Sequence, residues 1–198
     1  MNLELAVGAP SGVPAAPAAA IVVLDAIVPA RPQHLAAMTA IYREQVEDGV
    51  GTWENPLPGR AEIARRLAAA RAAGLPALVA LDRRRRVLGF SWARPFRERA
   101  AYRGTAESSI YIAGHARGHG IGRALLTAIV AGCAERGCRE LMAVVGDARN
   151  HASLRLHQSL GFEPVGYLPG AGEKPDGPVD VVILQRHLAQ AAATGLAA

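Results

Sequence analysis

Apolar positions recur along this chain in two rhythms, and their alternation predicts an ordered series of strands and helices. Residues 21–28 form an apolar run of strand length. Leu35, Met38, Ile41 and Tyr42 then follow at helical spacing, with Pro32 suited to the first turn and Gly49 and Gly51 ending the helix. A second helix over 60–73 puts Ile63, Leu67 and Ala70 on one face and stops at Gly74 and Pro76. Apolar runs at 77–81 and 87–92 flank a polar tip, the pattern of a hairpin. Residues 95–101 read as a loop and 107–113 as the next strand. The helix predicted over 120–136 carries Ile121, Leu125, Ile129 and Cys133 on a broad apolar face, and Gly137 caps it. A strand over 139–145 follows, and Asn150 is a good N-cap for a short helix ending near Leu160. Strands are expected at 162–168 and 179–185, with a polar loop over 169–178 between them.

Residues 1–20, rich in Ala, Pro and Gly, follow neither rhythm and are expected to form a disordered tail, as are the Ala-rich residues 189–198. That leaves one domain over 21–188, with no internal repeat. Periodicity alone supports an α/β fold with helices on both faces of a sheet.

Composition narrows the class. Hydrophobic residues make up 51% of the 198, which argues for a globular chain with a substantial core. No apolar run approaches the ~20 residues that span a bilayer, and no basic segment precedes an apolar run at the N-terminus. Cys133 and Cys138 have no second pair with which to build a zinc site, and the histidines are scattered, so no metal is expected. Two reduced thiols beside the core suit a cytoplasmic protein. The net charge of +5 owes much to the run at 83–86, which reads as the solvated tip of the hairpin. A lone basic run without interleaved aromatics is no nucleic-acid footprint.

The chemistry concentrates in residues 107–162. Strand, glycine-rich turn and helix follow one another there, and the turn reads Arg117-Gly-His-Gly-Ile-Gly-Arg123. The first amides of a helix lack internal partners and carry the positive end of its dipole, so such a turn suits an anionic ligand. Gly118, Gly120 and Gly122 remove Cβ atoms and permit positive φ. A P-loop would end in Gly-Lys-Ser/Thr, but the chain has Gly122-Arg123-Ala124; the dinucleotide fingerprint would need a glycine at 123.

The spacing Arg117-x-x-Gly120-x-Gly122 resembles the acetyl-CoA-binding loop of the GNAT acetyltransferases. The segments at 102–112 and 143–146, with Leu156-His157, are similar to the phosphinothricin and methionine-sulfoximine N-acetyltransferases of that superfamily. The resemblance covers roughly 22–188. It implies the GNAT fold, a single mixed sheet of about seven strands flanked by about four helices. It also implies acetyl transfer from acetyl-CoA to the amine of a small amino-acid-like acceptor, in a cytoplasmic enzyme, often a homodimer, with no membrane or nucleic-acid partner.

The resemblance also assigns roles. The backbone of Ile110, Tyr111 and Ile112 would pair with the pantetheine arm. The amides of Gly118, His119, Gly120, Ile121, Gly122 and Arg123 would hold the pyrophosphate, with Arg117 and Arg123 adding charge. Asn150 would contact the cofactor, cap the helix, or both. Much of such an enzyme is a clamp, since positioning alone supplies roughly 7–11 kcal/mol in well-aligned systems. Glu107 matches the family's general base, acting directly or through a water. His157 would relay protons or position groups, or be a structural helix histidine. Tyr102, Arg103 and Thr105 stand where relatives bind the acceptor, and an arginine suits a carboxylate or phosphinate. Trp53 would wall the acceptor pocket or cover a core edge. Lys174 and Asp180 keep their places in a segment that departs from the family, with Glu at 173 and Pro178 in place of tryptophan. That segment borders the acceptor site of relatives, so the departure bears on the acceptor and not on acetyl-CoA. The rivals are an acetyltransferase for another small amine or a protein N-terminus, and a non-catalytic acyl-CoA sensor.

Overall fold

The computed structural model describes residues 22–47, 52, 54, 56–174 and 177–188. The expected tails at 1–20 and 189–198, together with Ile21, Gly49, Gly51 and Trp53, lie outside the described residues. The strands are β1 (Leu24–Pro29), β2 (Ala77–Asp82), β3 (Val87–Pro95), β4 (Thr105–Ile112), β5 (Glu140–Gly146), β6 (Glu163–Lys174) and β7 (Gly177–His187). The helices are α1 (Leu35–Glu47), α2 (Arg60–Ala72), α3 (Ile121–Glu135) and α4 (His151–Gln158). The strands form one sheet in the order β1-β2-β3-β4-β5-β7-β6. Only β4 and β5 run parallel; the other neighbours are antiparallel.

Alternation along β4 separates the layers, because successive side chains in a strand point to opposite faces. The Tyr111 ring packs on Tyr42 of α1, with centroids 4.7 Å apart. Its neighbours Ile110 and Ile112 lie on the other face, beside Gly122 of α3. Helices α1 and α2 therefore cover one face and α3 the other. Leu125, Leu126 and Ile129 of α3 are fully buried, each contributing roughly 1.5–3 kcal/mol of burial.

The strand predictions hold except at the chain's end. The polar stretch 169–178, expected as a loop, is mostly strand: β6 runs on to Lys174, and β7 begins at Gly177. Gly172, Glu173 and Lys174 face Val179, Pro178 and Gly177, after a register shift between Leu168 and Gly172. Polar composition misled here because β6 is the outer strand and exposes nearly all its side chains, so pairing with β7 replaces burial as the organising force.

One irregularity positions the site. β4 and β5 pair only from Thr105–Ser108 against Glu140–Ala143. Beyond that, β4 continues beside β3 as far as Ile112, and β5 beside β7 as far as Gly146. The two parallel strands diverge and open a gap in the middle of the sheet. Val144, in the interior of β5, is consequently 41% exposed.

Candidate active site

Two cavities meet at this gap. The first, about 440 Å³, lies on the α3 side, lined by β4 from Ser108 to Ile112, β5 from Ala143 to Gly146, the turn before α3, and α4. The second, about 450 Å³, lies on the α1–α2 side and is lined by Tyr42, Glu54, Arg66, Trp92, Arg94 and Glu107, among others. Ser109, Tyr111, Val144 and Gly146 line both. A group lodged between the diverging strands faces both spaces.

The first cavity offers main-chain partners. Ala113 N–H donates to Leu88 O on β3. By ladder alternation the peptide groups of Ile110 and Ile112 turn the opposite way, toward the gap. Gln45 Nε2 donates to Ile112 O at 3.1 Å, and Ile110 lines the cavity. At the other end stands the start of α3. Its N-cap, Gly120, has φ +77° and supplies no side-chain cap. The amides of the first helical turn, which have no intrahelical partner, are available to an anion.

The glycines of the turn do different jobs. Gly120 meets a backbone requirement, since a left-handed φ costs other residues roughly 1–2 kcal/mol and a Cβ there would touch nothing. Gly122 meets a packing requirement, since a Cβ there would stand 3.1 Å from Leu156 Cδ2. Arg117, Gly118, Ile121 and Arg123 also line the cavity. The His119 side chain turns away from it, its Nδ1 lying 2.9 Å from Arg117 O. This combination of an open strand edge, an uncapped helix start and flanking arginines fits a long pantetheine-like arm ending in a phosphate.

Asn150 caps α4, its Oδ1 accepting from Ser153 N–H at 3.2 Å, and lines the same cavity. His157, two turns on, also lines it and is buried. Its Nδ1 lies 2.9 Å from Ser153 O, a carbonyl that can only accept, so Nδ1 carries the proton. Its ring stands edge-on to Phe162, centroids 5.1 Å apart, and among the described residues Nε2 has no hydrogen-bond partner. Burial pushes the imidazole below its ordinary value, so the ring is neutral and Nε2 presents a lone pair.

The second cavity is polar. Glu107 is buried, and its Oε1 accepts from Arg94 Nη2 at 2.6 Å. The two residues face each other across the β3–β4 ladder. Across the cavity, Arg66 of α2 donates from Nε to Glu62, from Nη1 to Tyr42 Oη, and from Nη2 to Glu54. Tyr42 Oη also donates to Glu54 at 2.8 Å. Burial raises the Tyr42 and Tyr111 phenols, so both hydroxyls stay protonated.

The remaining predicted positions lie apart. Tyr102 lines a third, open cavity with Phe96 and Arg97, which shares only Arg94 with the second. Arg103 is exposed just after it, and Thr105 opens β4; neither lines the second cavity. Lys174 ends β6, where its charge helps Arg149 hold the buried Asp147 carboxyl down to about 2. Arg94, Arg66, Tyr42 and Glu54 were not anticipated. Arg94 shares a face of β3 with Trp92, but only the register places it against Glu107.

The family model described as Acetyltransferase (GNAT) family matches residues 38–162. The chain therefore belongs to the GNAT family and is an acetyl-CoA-dependent N-acetyltransferase. It is 43% identical over 158 residues to a phosphinothricin N-acetyltransferase of Alcaligenes faecalis, covering 80% of each chain. It is 34% identical to an L-methionine sulfoximine/L-methionine sulfone acetyltransferase of Pseudomonas paraeruginosa, covering 78% of this chain and 89% of that one. The crystal structure of a GNAT superfamily phosphinothricin acetyltransferase from Sinorhizobium meliloti, in complex with AcCoA, superposes with a TM-score of 0.80 at 40% identity, covering 86% of this chain and 91% of that one. The predicted GNAT fold is the one observed.

Proposed function

We propose that this enzyme acetylates the amine of a small amino-acid-like acceptor such as phosphinothricin, methionine sulfoximine or methionine sulfone. The observation that carries this is the pair of cavities meeting at Ser109, Tyr111, Val144 and Gly146. Acetyl-CoA, lying along β4 with its pyrophosphate at the start of α3, supplies an activated acetyl thioester at the gap. The acceptor enters the second cavity, which is polar and lined by charges of both signs, as suits a zwitterionic acceptor.

The roles follow from position. Glu107 takes a proton from the acceptor ammonium, directly or through a water, freeing the lone pair that attacks the thioester carbonyl carbon. The new C–N bond forms as the C–S bond breaks. The thiolate leaves and takes up a proton, and the nitrogen loses its second one. His157, neutral and proton-bearing at Nδ1, acts as a hydrogen-bond acceptor at Nε2 on the cofactor side. It is a poor source of the thiolate's proton, since that would need the imidazolium that burial disfavours. Asn150, Arg117 and Arg123 hold the cofactor, and the Arg66–Tyr42–Glu54 group shapes the far wall of the acceptor space. Lys174 lines neither cavity, and its charge acts on Asp147, just past the end of β5.

The same reading makes the enzyme cytoplasmic and dimeric. The two buried free thiols support the first, and Val165, Tyr167 and Leu168, exposed on the outer strand β6, support the second. The test is thiol release from acetyl-CoA with phosphinothricin, methionine sulfoximine, methionine sulfone, polyamines, aminoglycosides and short peptides. Turnover on the first three is expected. Turnover confined to the others would overturn the acceptor, and tight CoA binding with no turnover on any would favour a sensor.

A further inference from the structure

We infer that Arg94 and Glu107 together read the zwitterion of a free α-amino acid, Arg94 holding the α-carboxylate while Glu107 faces the α-amine. The inference rests on the acceptor reading above and narrows it: the acceptor must keep a free carboxylate on the carbon that bears the reacting nitrogen.

Three arginines line the acceptor cavity: Arg65, Arg66 and Arg94. Two are committed elsewhere. Arg66 spends Nε, Nη1 and Nη2 on Glu62, Tyr42 and Glu54. Arg65 places Nε and Nη2 on the two oxygens of Glu62. Among the described residues, the Arg94 side chain makes one hydrogen bond, from Nη2 to Glu107 Oε1. A guanidinium has five N–H donors in a planar fork, so four remain for a ligand on a side chain that lines this cavity.

Exposure within the pair points the same way. The Glu107 side chain is 8% exposed and that of Arg94 is 62%. An incoming ligand therefore meets the cation broadly and the carboxylate at one edge. In an α-amino acid the two charges are separated by a single carbon. A cation and an anion in direct contact present the inverse of that pattern: the ligand carboxylate pairs with the guanidinium and its ammonium with Glu107. A polyamine, an aminoglycoside or a peptide N-terminus lacks the adjacent carboxylate and leaves the Arg94 fork unmatched. The arginine that resemblance placed at 103 thus has its anion-binding part taken by Arg94, which projects into the cavity where Arg103 does not.

The test uses two acceptors differing only at this group: methionine sulfone and the amine left by its decarboxylation. Wild type should favour the acid in kcat/KM. Arg94→Gln should lower the acid-to-amine ratio of kcat/KM by about ten- to hundredfold, the loss of a charge-assisted hydrogen-bonded pair, expressed mainly in KM. Arg94→Lys, which keeps the charge but not the fork, should recover part of the ratio. An equal fall for both acceptors would overturn the inference, because Arg94 would then act only through Glu107. So would a wild type that uses the decarboxylated amine as well as the acid, a readout that needs no variant; it would leave the small-amine acetyltransferase standing. Wild-type failure on both acceptors would instead reject the acceptor reading itself and this inference with it.

Discussion

Gly122 of α3 and Leu156 of α4 approach so closely that a Cβ on the glycine would stand 3.1 Å from Leu156 Cδ2. This contact sets the spacing between the start of α3 and the helix that carries Asn150 and His157. Gly122→Val should push Leu156 aside at a cost of roughly 1–3 kcal/mol, typical of overpacking. Calorimetry should show weaker CoA binding, while the KM for the acceptor changes little. Unaltered CoA affinity in a folded Gly122→Val would show that this spacing does not shape the cofactor site.

Arg66 ties three separate segments together by donating to Tyr42 of α1, Glu54 of the loop and Glu62 of its own helix. Arg66→Ala removes these bonds and leaves the Glu54 carboxylate without its cation. A stability loss of roughly 2 kcal/mol is expected in urea unfolding, since hydrogen bonds to charged groups carry about that much. Because the same residues wall the second cavity, KM for the acceptor should rise more than KM for acetyl-CoA. A rise confined to acetyl-CoA would place the wall on the wrong substrate.

His157 makes stability depend on pH in a defined direction. Burial holds the folded ring below 6.5, its ordinary value in the unfolded chain. Above that value neither state is charged, and stability is unaffected. Below it, the unfolded chain binds a proton that the folded ring refuses, and stability falls until the folded ring is also protonated. Urea unfolding at about pH 8 and about pH 5 should show a larger drop for wild type than for His157→Gln. Equal drops would mean that the ring is solvated.

Much of this was legible in the residues. The spacing of Ile121, Leu125, Ile129 and Cys133 marked α3, and Asn150 marked the start of α4, because both signals are local. The glycine turn was legible as the opening of α3, where Gly122 serves helix packing and Gly120 the backbone. What could not be read was register. Arg94 and Glu107 are thirteen residues apart, and only the β3–β4 ladder makes them neighbours. Likewise, no sequence pattern says that β4 and β5 part after Ser108, the event that creates the gap. The polar stretch 169–178 hid most of a hairpin because an outer strand has no need to alternate.

The central proposal is that Glu107, on the wall of the second cavity, deprotonates the acceptor. The most direct measurement is kcat for thiol release from acetyl-CoA with methionine sulfone, in wild type and Glu107→Gln, beside the CoA dissociation constant of each. Loss of a general base predicts that kcat falls roughly a hundred- to ten-thousandfold while CoA affinity holds. Full turnover in Glu107→Gln would contradict the account.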